Sequence, residues 1–274
     1  MDIFKAQETQ QDPALVIEER RGATCILTLN RPSARNSLSL SLIVALNDAV
    51  GRADATRDVA AIIITGAPPA FCSGHDLKEM TAHRQDPDRG RAFFEQTMRG
   101  CSALMQSIIA CHKPVIAAVN GIATAAGCQL VASCDLAVAG ESARFATPGV
   151  NIGLFCSTPM VALSRNLSRK AALEMMLLGD MVPAAKAKDL GLVNWVVPDA
   201  NVLSAALEVA DKIASKSPLT LAIGKQAFYR QAEMPLAEAY DYTACVMVEN
   251  MLARDAEEGI GAFLEKRKPE WTGS

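Results

Sequence analysis

The chain has 274 residues, 50% hydrophobic and 21% charged, with a formal net charge of −3. That balance supports a filled core and excludes a disordered chain, and it carries no basic footprint for nucleic acid. Aromatics are only 5%, so the core is expected to be aliphatic.

In chain order, Leu15–Arg20 and Ala23–Leu29 read as two strands turning at Arg21–Gly22, and Asn30–Arg31–Pro32 breaks the second. Ser39 is placed to cap a helix running to about Ala53, with Leu42, Leu46 and Ala49 on one face. Ala60–Thr65 (AAIIIT) is a continuous apolar run, as in a strand covered on both faces. Gly66–Ala70 reads as a loop, and the charged stretch His83–Gly90 as a mobile surface loop. Between them Glu79 reads as a solvated residue near a helix start. Arg91–Ala110 has helical periodicity.

A second buried strand begins at Lys113–Pro114, followed by a helix over Ala125–Cys134 and strands over Leu136–Ala139 and Ser142–Phe145. Helices are expected over Pro159–Leu167, Lys170–Leu178 and Ala184–Leu190, with a strand over Leu192–Val197. From Ala200 onward the pattern is helical: Ala200–Lys216, Pro218–Arg230, Pro235–Arg254 and Asp255–Arg267. The order implies a layered α/β core over residues 1–197 and a helical C-terminal region over 198–274.

Eight cysteines occur without a C-x-x-C pair, and three histidines show no ligand spacing, so buried reduced thiols and no metal are expected. No apolar run reaches membrane-span length, and the first thirteen residues lack a charged-then-apolar signal pattern. A cytoplasmic protein without a membrane or nucleic-acid partner is the expectation.

Two glycine-centred segments carry the chemistry. Ala70–Met80 (AFCSGHDLKEM) and Val119–Asp135 (VNGIATAAGCQLVASCD) each follow an apolar run, turn at small residues and enter a helical pattern. Two such turns side by side can aim two backbone N–H groups at one point, an arrangement that stabilises negative charge on a carbonyl oxygen.

These segments, with Leu29–Asn36, Lys113–Leu130, Phe145–Pro148 and Ala262–Lys268, resemble the enoyl-CoA hydratase/isomerase (crotonase) family over nearly the whole chain. Ile122–Asp135 and Phe145–Pro159 are most similar to its branch of enoyl-CoA hydratase domain-containing protein 3. The resemblance implies an α/β crotonase (ClpP/crotonase-like) fold of repeated ββα units with a helical C-terminal region. It implies homo-oligomers, trimers or dimers of trimers, and an acyl-CoA thioester as substrate. Coenzyme A is then part of the substrate, and no separate cofactor is expected.

The family's oxyanion-hole donors map onto the N–H groups of His75 and Ala126. Its two catalytic glutamates map onto Gln129 and Gly149, neither of which exchanges a proton near neutral pH. Efficient hydration is therefore not expected. Alternatives are an acyl-CoA decarboxylase or hydrolase of the same family, or a non-catalytic acyl-CoA-binding protein. The GHD run of His75 and Asp76 resembles a decarboxylase branch, in which loss of carbon dioxide makes the enolate. Resemblance further implies coenzyme A contacts from Arg31, Arg35, Ser73, Asp76 and Leu77, with Phe263 and Lys266 reaching the nucleotide of a neighbouring subunit. Thr147, Asn151, Cys156 and Ser157 are candidates for the acyl pocket.

Overall fold

The computed structural model describes residues 14–274; the residues read for a signal pattern lie outside these. Strands β1 (Val16–Arg21) and β2 (Thr24–Leu29) form an antiparallel hairpin. Helix α1 (Leu40–Ala55) follows, with Ser39 Oγ accepting the Leu42 N–H as its cap. Strand β3 (Ala61–Gly66) is buried along its whole length. Next come β4 (Ala70–Cys72), α2 (Leu77–Ala82) and α3 (Arg91–Ala110). Helix α3 buries Thr97, Cys101, Leu104, Met105 and Ile108, one face of a 3.6-residue period.

The chain then repeats the pattern. Strand β5 (Val115–Val119) leads through β6 (Ile122–Thr124) into α4 (Ala126–Ser133). Strands β7 (Leu136–Gly140) and β8 (Arg144–Ala146) precede α5 (Ser157–Asn166) and α6 (Arg169–Leu178). Strand β9 (Val182–Pro183), α7 (Ala184–Asp189) and β10 (Trp195–Val197) complete the strands. Helices α8 (Val202–Ala214), α9 (Pro218–Gln231), α10 (Leu236–Leu252) and α11 (Arg254–Glu265) follow.

The strands sort into two sheets. One has the order β1-β2-β3-β5-β7-β10 and is parallel from β2 onward; the other has the order β4-β6-β8-β9. From β3 to β8 successive strands therefore alternate between sheets, and each of the pairs β3/β4, β5/β6 and β7/β8 adds one strand to each before the next helix. A large apolar cluster joins one face of the six-stranded sheet to α1, α3 and α4. The opposite face, with Ile26, Ile63, Ile116 and Val138, is covered by Val202, Ala206 and Ala210 of α8.

Two sequence expectations are corrected. Residues 70–72 and 122–124 are strands rather than loop and turn, and they build the second sheet. The 83–90 segment, read as a mobile loop, is knitted into turns. His83 stacks on Phe93 at 3.7 Å and bonds Asp86 at 2.8 Å, and Asp88 accepts the Gly90 and Ala92 N–H groups.

Helix α9 is fastened to the core by an ion pair. Lys225 Nζ lies 2.7 Å from Asp135 Oδ2 with its side chain only 6% exposed, and it also donates to the carbonyls of Ile108 and Lys113. Tyr229 donates to Asp135 Oδ1 at 2.9 Å, and Asp135 Oδ2 accepts the Val115 N–H. The carboxylate thus ties the end of α4 to the start of β5. Removing one partner of such a buried pair costs about 3–5 kcal/mol. Lys225→Met is expected to lose stability on that scale in urea unfolding, and a midpoint equal to wild type would contradict the assignment.

Candidate active site

The two glycine-centred turns meet between the second sheet and α4. Leu38 forms an isolated parallel bridge with His75: its N–H bonds the Gly74 carbonyl at 2.7 Å, and its carbonyl accepts the Asp76 N–H at 3.1 Å. In a parallel pair the bridged residue points its own N–H away from that neighbour. The His75 N–H consequently faces away from Leu38, and it has no partner among the described residues.

The second turn is strained. Ala125 sits at φ 50°, ψ −117° immediately ahead of α4. That region is costly for a side chain bearing a Cβ and persists where surrounding structure enforces it. The constraint is visible: the Ala125 N–H bonds the Ala146 carbonyl at 2.8 Å, and a Cβ on Gly127 would collide with the Cys72 carbonyl. The turn leaves the Ala126 N–H, at the first position of α4, without a partner among the described residues. Helix starts expose such donors and carry the positive end of the helix dipole.

Gly74 marks how close the turns lie. A Cβ there would be 2.9 Å from Ala125 Cβ, 3.0 Å from the Thr124 carbonyl oxygen and 3.5 Å from the Ala126 nitrogen. Gly74 has φ +92°, which also favours glycine. Two backbone segments with free N–H groups are therefore in van der Waals contact.

Gln129 lies one turn along α4 from Ala126 and is 4% exposed. Its Oε1 faces the Cys101 thiol of α3 at 4.0 Å. Gly149 is buried in a short 3-10 turn over Pro148–Ile152. A Cβ on Gly149 would lie 2.8 Å from the Leu154 carbonyl oxygen and 2.9 Å from Cys156 Sγ. The chain has thus closed over the place where a side chain at 149 would emerge. Burial raises the pKa of the Cys156 thiol, partly opposed by the Gly149 N–H, so no thiolate is poised there. Cys72, Cys101 and Cys128 are pushed up to about 12 by burial. All eight cysteines are free, and only Cys245 is exposed.

The remaining candidates fall into two groups. Arg31 is committed locally: it donates to Asp76 Oδ2 at 2.9 Å and to the Ser37 carbonyl at 2.6 Å. Asp76 caps α2, accepting from the Lys78 and Glu79 N–H groups. Burial tends to raise its pKa, but Arg31 and those N–H groups hold it below the usual carboxylate range. Glu79 is not solvated as its sequence context suggested; it is half-buried and Oε2 accepts the Leu40 N–H at 3.0 Å, at the start of α1. Ser73 donates its N–H to the Arg35 carbonyl at 3.1 Å. Arg35 and Leu77 are exposed beside these turns. Phe263 is 81% exposed on α11, and Lys266 ends that helix at φ 58°.

Asn151 and Ser157 are exposed, whereas Thr147 is fully buried. Among the described residues, no group of three or more His, Cys, Asp or Glu could hold a metal ion. No helix is long and apolar enough to cross a membrane.

Comparison with known proteins supplies independent findings. The sequence profile described as Enoyl-CoA hydratase/isomerase matches residues 19–274. The chain is 46% identical over 273 residues to enoyl-CoA hydratase domain-containing protein 3, mitochondrial, of Xenopus laevis, covering 99% of this chain and 90% of that protein. The human protein of the same name is 46% identical over 246 residues, covering 90% and 80%. Among solved structures, an enoyl-CoA hydratase of Mycobacterium smegmatis superposes with a TM-score of 0.90 at 48% identity, covering 95% and 99% of the two chains. Human enoyl-CoA hydratase domain-containing protein 3 superposes with a TM-score of 0.88 at 44% identity, covering 94% and 100%. The fold is the crotonase fold that the motifs implied. The cytoplasmic expectation is overturned, because the similar frog, human and rat proteins are named as mitochondrial. Composition and the missing signal pattern did not discriminate between compartments.

The geometry at Gly149 generates a prediction. Overpacking a closed site costs about 1–3 kcal/mol. Gly149→Ala is expected to lose that much in denaturant unfolding, and Gly149→Glu more. A Gly149→Glu protein as stable as wild type would show that the 149–156 segment yields easily.

Proposed function

The chain belongs to the enoyl-CoA hydratase/isomerase family, and on that premise we propose that it binds an acyl-CoA thioester and stabilises its enolate between the N–H groups of His75 and Ala126. The observation that carries this reading is the contact of the two turns, each with an unpartnered N–H. Donors held in place before reaction favour the enolate over the ground-state thioester, because the enolate oxygen carries more negative charge.

Hydration needs more than that. A base must activate water and an acid must protonate the α-carbon. Gln129 and Gly149 stand where the family resemblance places carboxylates, and neither supplies proton transfer. General acid–base assistance is worth about 10²–10⁴-fold, so slow hydration follows. Asp76 and Glu79 do not replace it: one caps α2 and pairs with Arg31, the other caps α1.

For the coenzyme A moiety, exposed Arg35 is the better rim cation, since Arg31 already pairs with Asp76. We place Phe263 and Lys266 at the nucleotide of a neighbouring subunit in a homo-oligomer. Exposed apolar side chains on α10 and α11 support that placement, including Leu236, Tyr240, Met251, Leu252 and Leu264.

Calorimetric titration with acetyl-CoA tests the reading. Binding with Kd below about 1 mM is expected, equivalent to roughly 4 kcal/mol. Gly74→Ala puts a methyl group 3.5 Å from the Ala126 nitrogen and is expected to weaken binding at least about tenfold. Absence of binding by the wild-type protein would end the proposal. With crotonyl-CoA, turnover at least about a hundredfold below that of a glutamate-bearing hydratase is expected. Turnover matching such an enzyme would refute the role given to the missing carboxylates.

A further inference from the structure

Helix α11 has little core of its own. Of its residues only Asp255 and Ala262 are buried, while Ile260, Phe263 and Leu264 are exposed. A helix of 12 residues is marginal in water without tertiary contacts. Its anchor lies at its start. Asp255 is 1% exposed. Its Oδ2 accepts the Ser217 hydroxyl at 2.6 Å, and its Oδ1 accepts the Thr272 N–H at 2.7 Å and the Thr272 hydroxyl at 2.9 Å. The Gly273 N–H lies 3.2 Å from Oδ1 and 3.1 Å from Oδ2, and the Asp255 N–H bonds the Ser274 carbonyl at 2.9 Å. Ser217 Oγ also accepts the Thr220 N–H as the cap of α9. Among the described residues, the Ser217–Asp255 bond is the one side-chain hydrogen bond that joins α11 to any residue before Ala253.

Residues 267–274 run back along this helix. Glu258 accepts from the Arg267 guanidinium at 2.6 and 2.8 Å and from the Glu270 N–H at 2.8 Å. Trp271 lies over Gly259, where a Cβ would be 3.1 Å from the indole ring. Its Nε1–H bonds the carbonyl of Ser215, the C-cap of α8, at 2.9 Å. Thr272, Gly273 and Ser274 then reach Asp255. As the chain advances from 267 to 274, its contacts retreat toward the start of α11. The segment is a strap that binds the helix to the junction of α8 and α9. Its knot is the Asp255 carboxylate, and hydrogen bonds to an ionised acceptor are among the strong ones.

We propose that Asp255 is a positioning residue for coenzyme A binding: by clasping residues 271–274 it fixes α11, and with it Phe263 and Lys266, before the ligand arrives. The inference rests on the placement of Phe263 and Lys266 at a neighbouring subunit's nucleotide, made above, and adds what holds them there. Asp255, buried under the strap, acts only through α11. A helix that is loose in the free protein presents its side chains correctly for only a fraction of the time, and apparent affinity falls by that fraction. Binding must then also supply the ordering that the strap provides in advance.

The test titrates the full chain with acetyl-CoA by calorimetry and follows amide hydrogen exchange by mass spectrometry. Asp255→Asn is expected to raise Kd at least about fivefold. It is also expected to speed exchange in α11 and residues 267–274 alone. Phe263→Ala and Lys266→Ala are each expected to raise Kd. Adding Asp255→Asn to those two together is expected to cost less than about twofold more, since residues that act as one unit are not additive. A chain ending at Glu270 keeps Asp255 and the cap of α9 but loses the strap; it is expected to behave like Asp255→Asn and decides the matter if that variant does not fold. Wild-type affinity in Asp255→Asn or in the shortened chain, with Phe263→Ala and Lys266→Ala weakened, would overturn the inference and leave the nucleotide placement standing. Unchanged exchange in α11 would do the same. Wild-type affinity in both Phe263→Ala and Lys266→Ala would sink the placement and the inference with it. Faster exchange throughout the chain, or losses that multiply, would make Asp255 a residue of general stability and overturn its positioning role. Failure of the wild-type protein to bind acetyl-CoA would end both readings.

Discussion

The site depends on one steric constraint: two strand-to-helix turns share a contact that admits no additional side-chain carbon. Gly127 is pressed on the Cys72 carbonyl, and Gly74 on Ala125 and the Thr124 carbonyl. These contacts hold Ala125 in a conformation it would not choose alone. In return they hold two N–H groups unpaired in a packed interior. Such donors are useful because the fold fixes them in advance and they need no rearrangement when charge develops.

The two-sheet architecture explains how that contact is maintained. Each repeat contributes a long strand to the six-stranded sheet and a short one to the four-stranded sheet. The short strands β4 and β6 are parallel neighbours, so the turns that follow them emerge side by side. The aliphatic cluster on one face of the large sheet anchors α3 and α4, and Asp135 with Lys225 secures the far end of α4. Positions 129 and 149, where the resemblance implies carboxylates, are not open space within this frame. Gln129 is packed against Cys101, and the 149–156 turn has closed around the thiol of Cys156. On the proposed reading, chemistry at this site rests on fixed dipoles rather than on a proton-transfer pair.

Much of this was legible in the sequence. The long elements read directly because their periodicity spans many residues: α3 is observed at Arg91–Ala110, as its pattern required, and Ser39 caps α1. The short strands were not legible, since three residues show no alternation that separates a strand from a loop. Without β4, β6 and β9 the second sheet could not be inferred from pattern alone, although the resemblance implied it. The roles of Asp76 and Glu79 were hidden for another reason. Their partners, Arg31 and the Leu40 N–H, lie 45 and 39 residues away. The bond between Asp255 and Ser217, 38 residues apart, likewise exists only in three dimensions, and no residue type or spacing announces it.

The most direct measurement of the central claim is the infrared carbonyl stretch of bound acetyl-CoA, isotopically labelled at the thioester carbon. Two converging N–H groups would polarise that carbonyl and move its stretch to lower frequency than in water, and Gly74→Ala would reverse the shift. A ligand shown to be bound whose stretch matches the solution value would contradict the account.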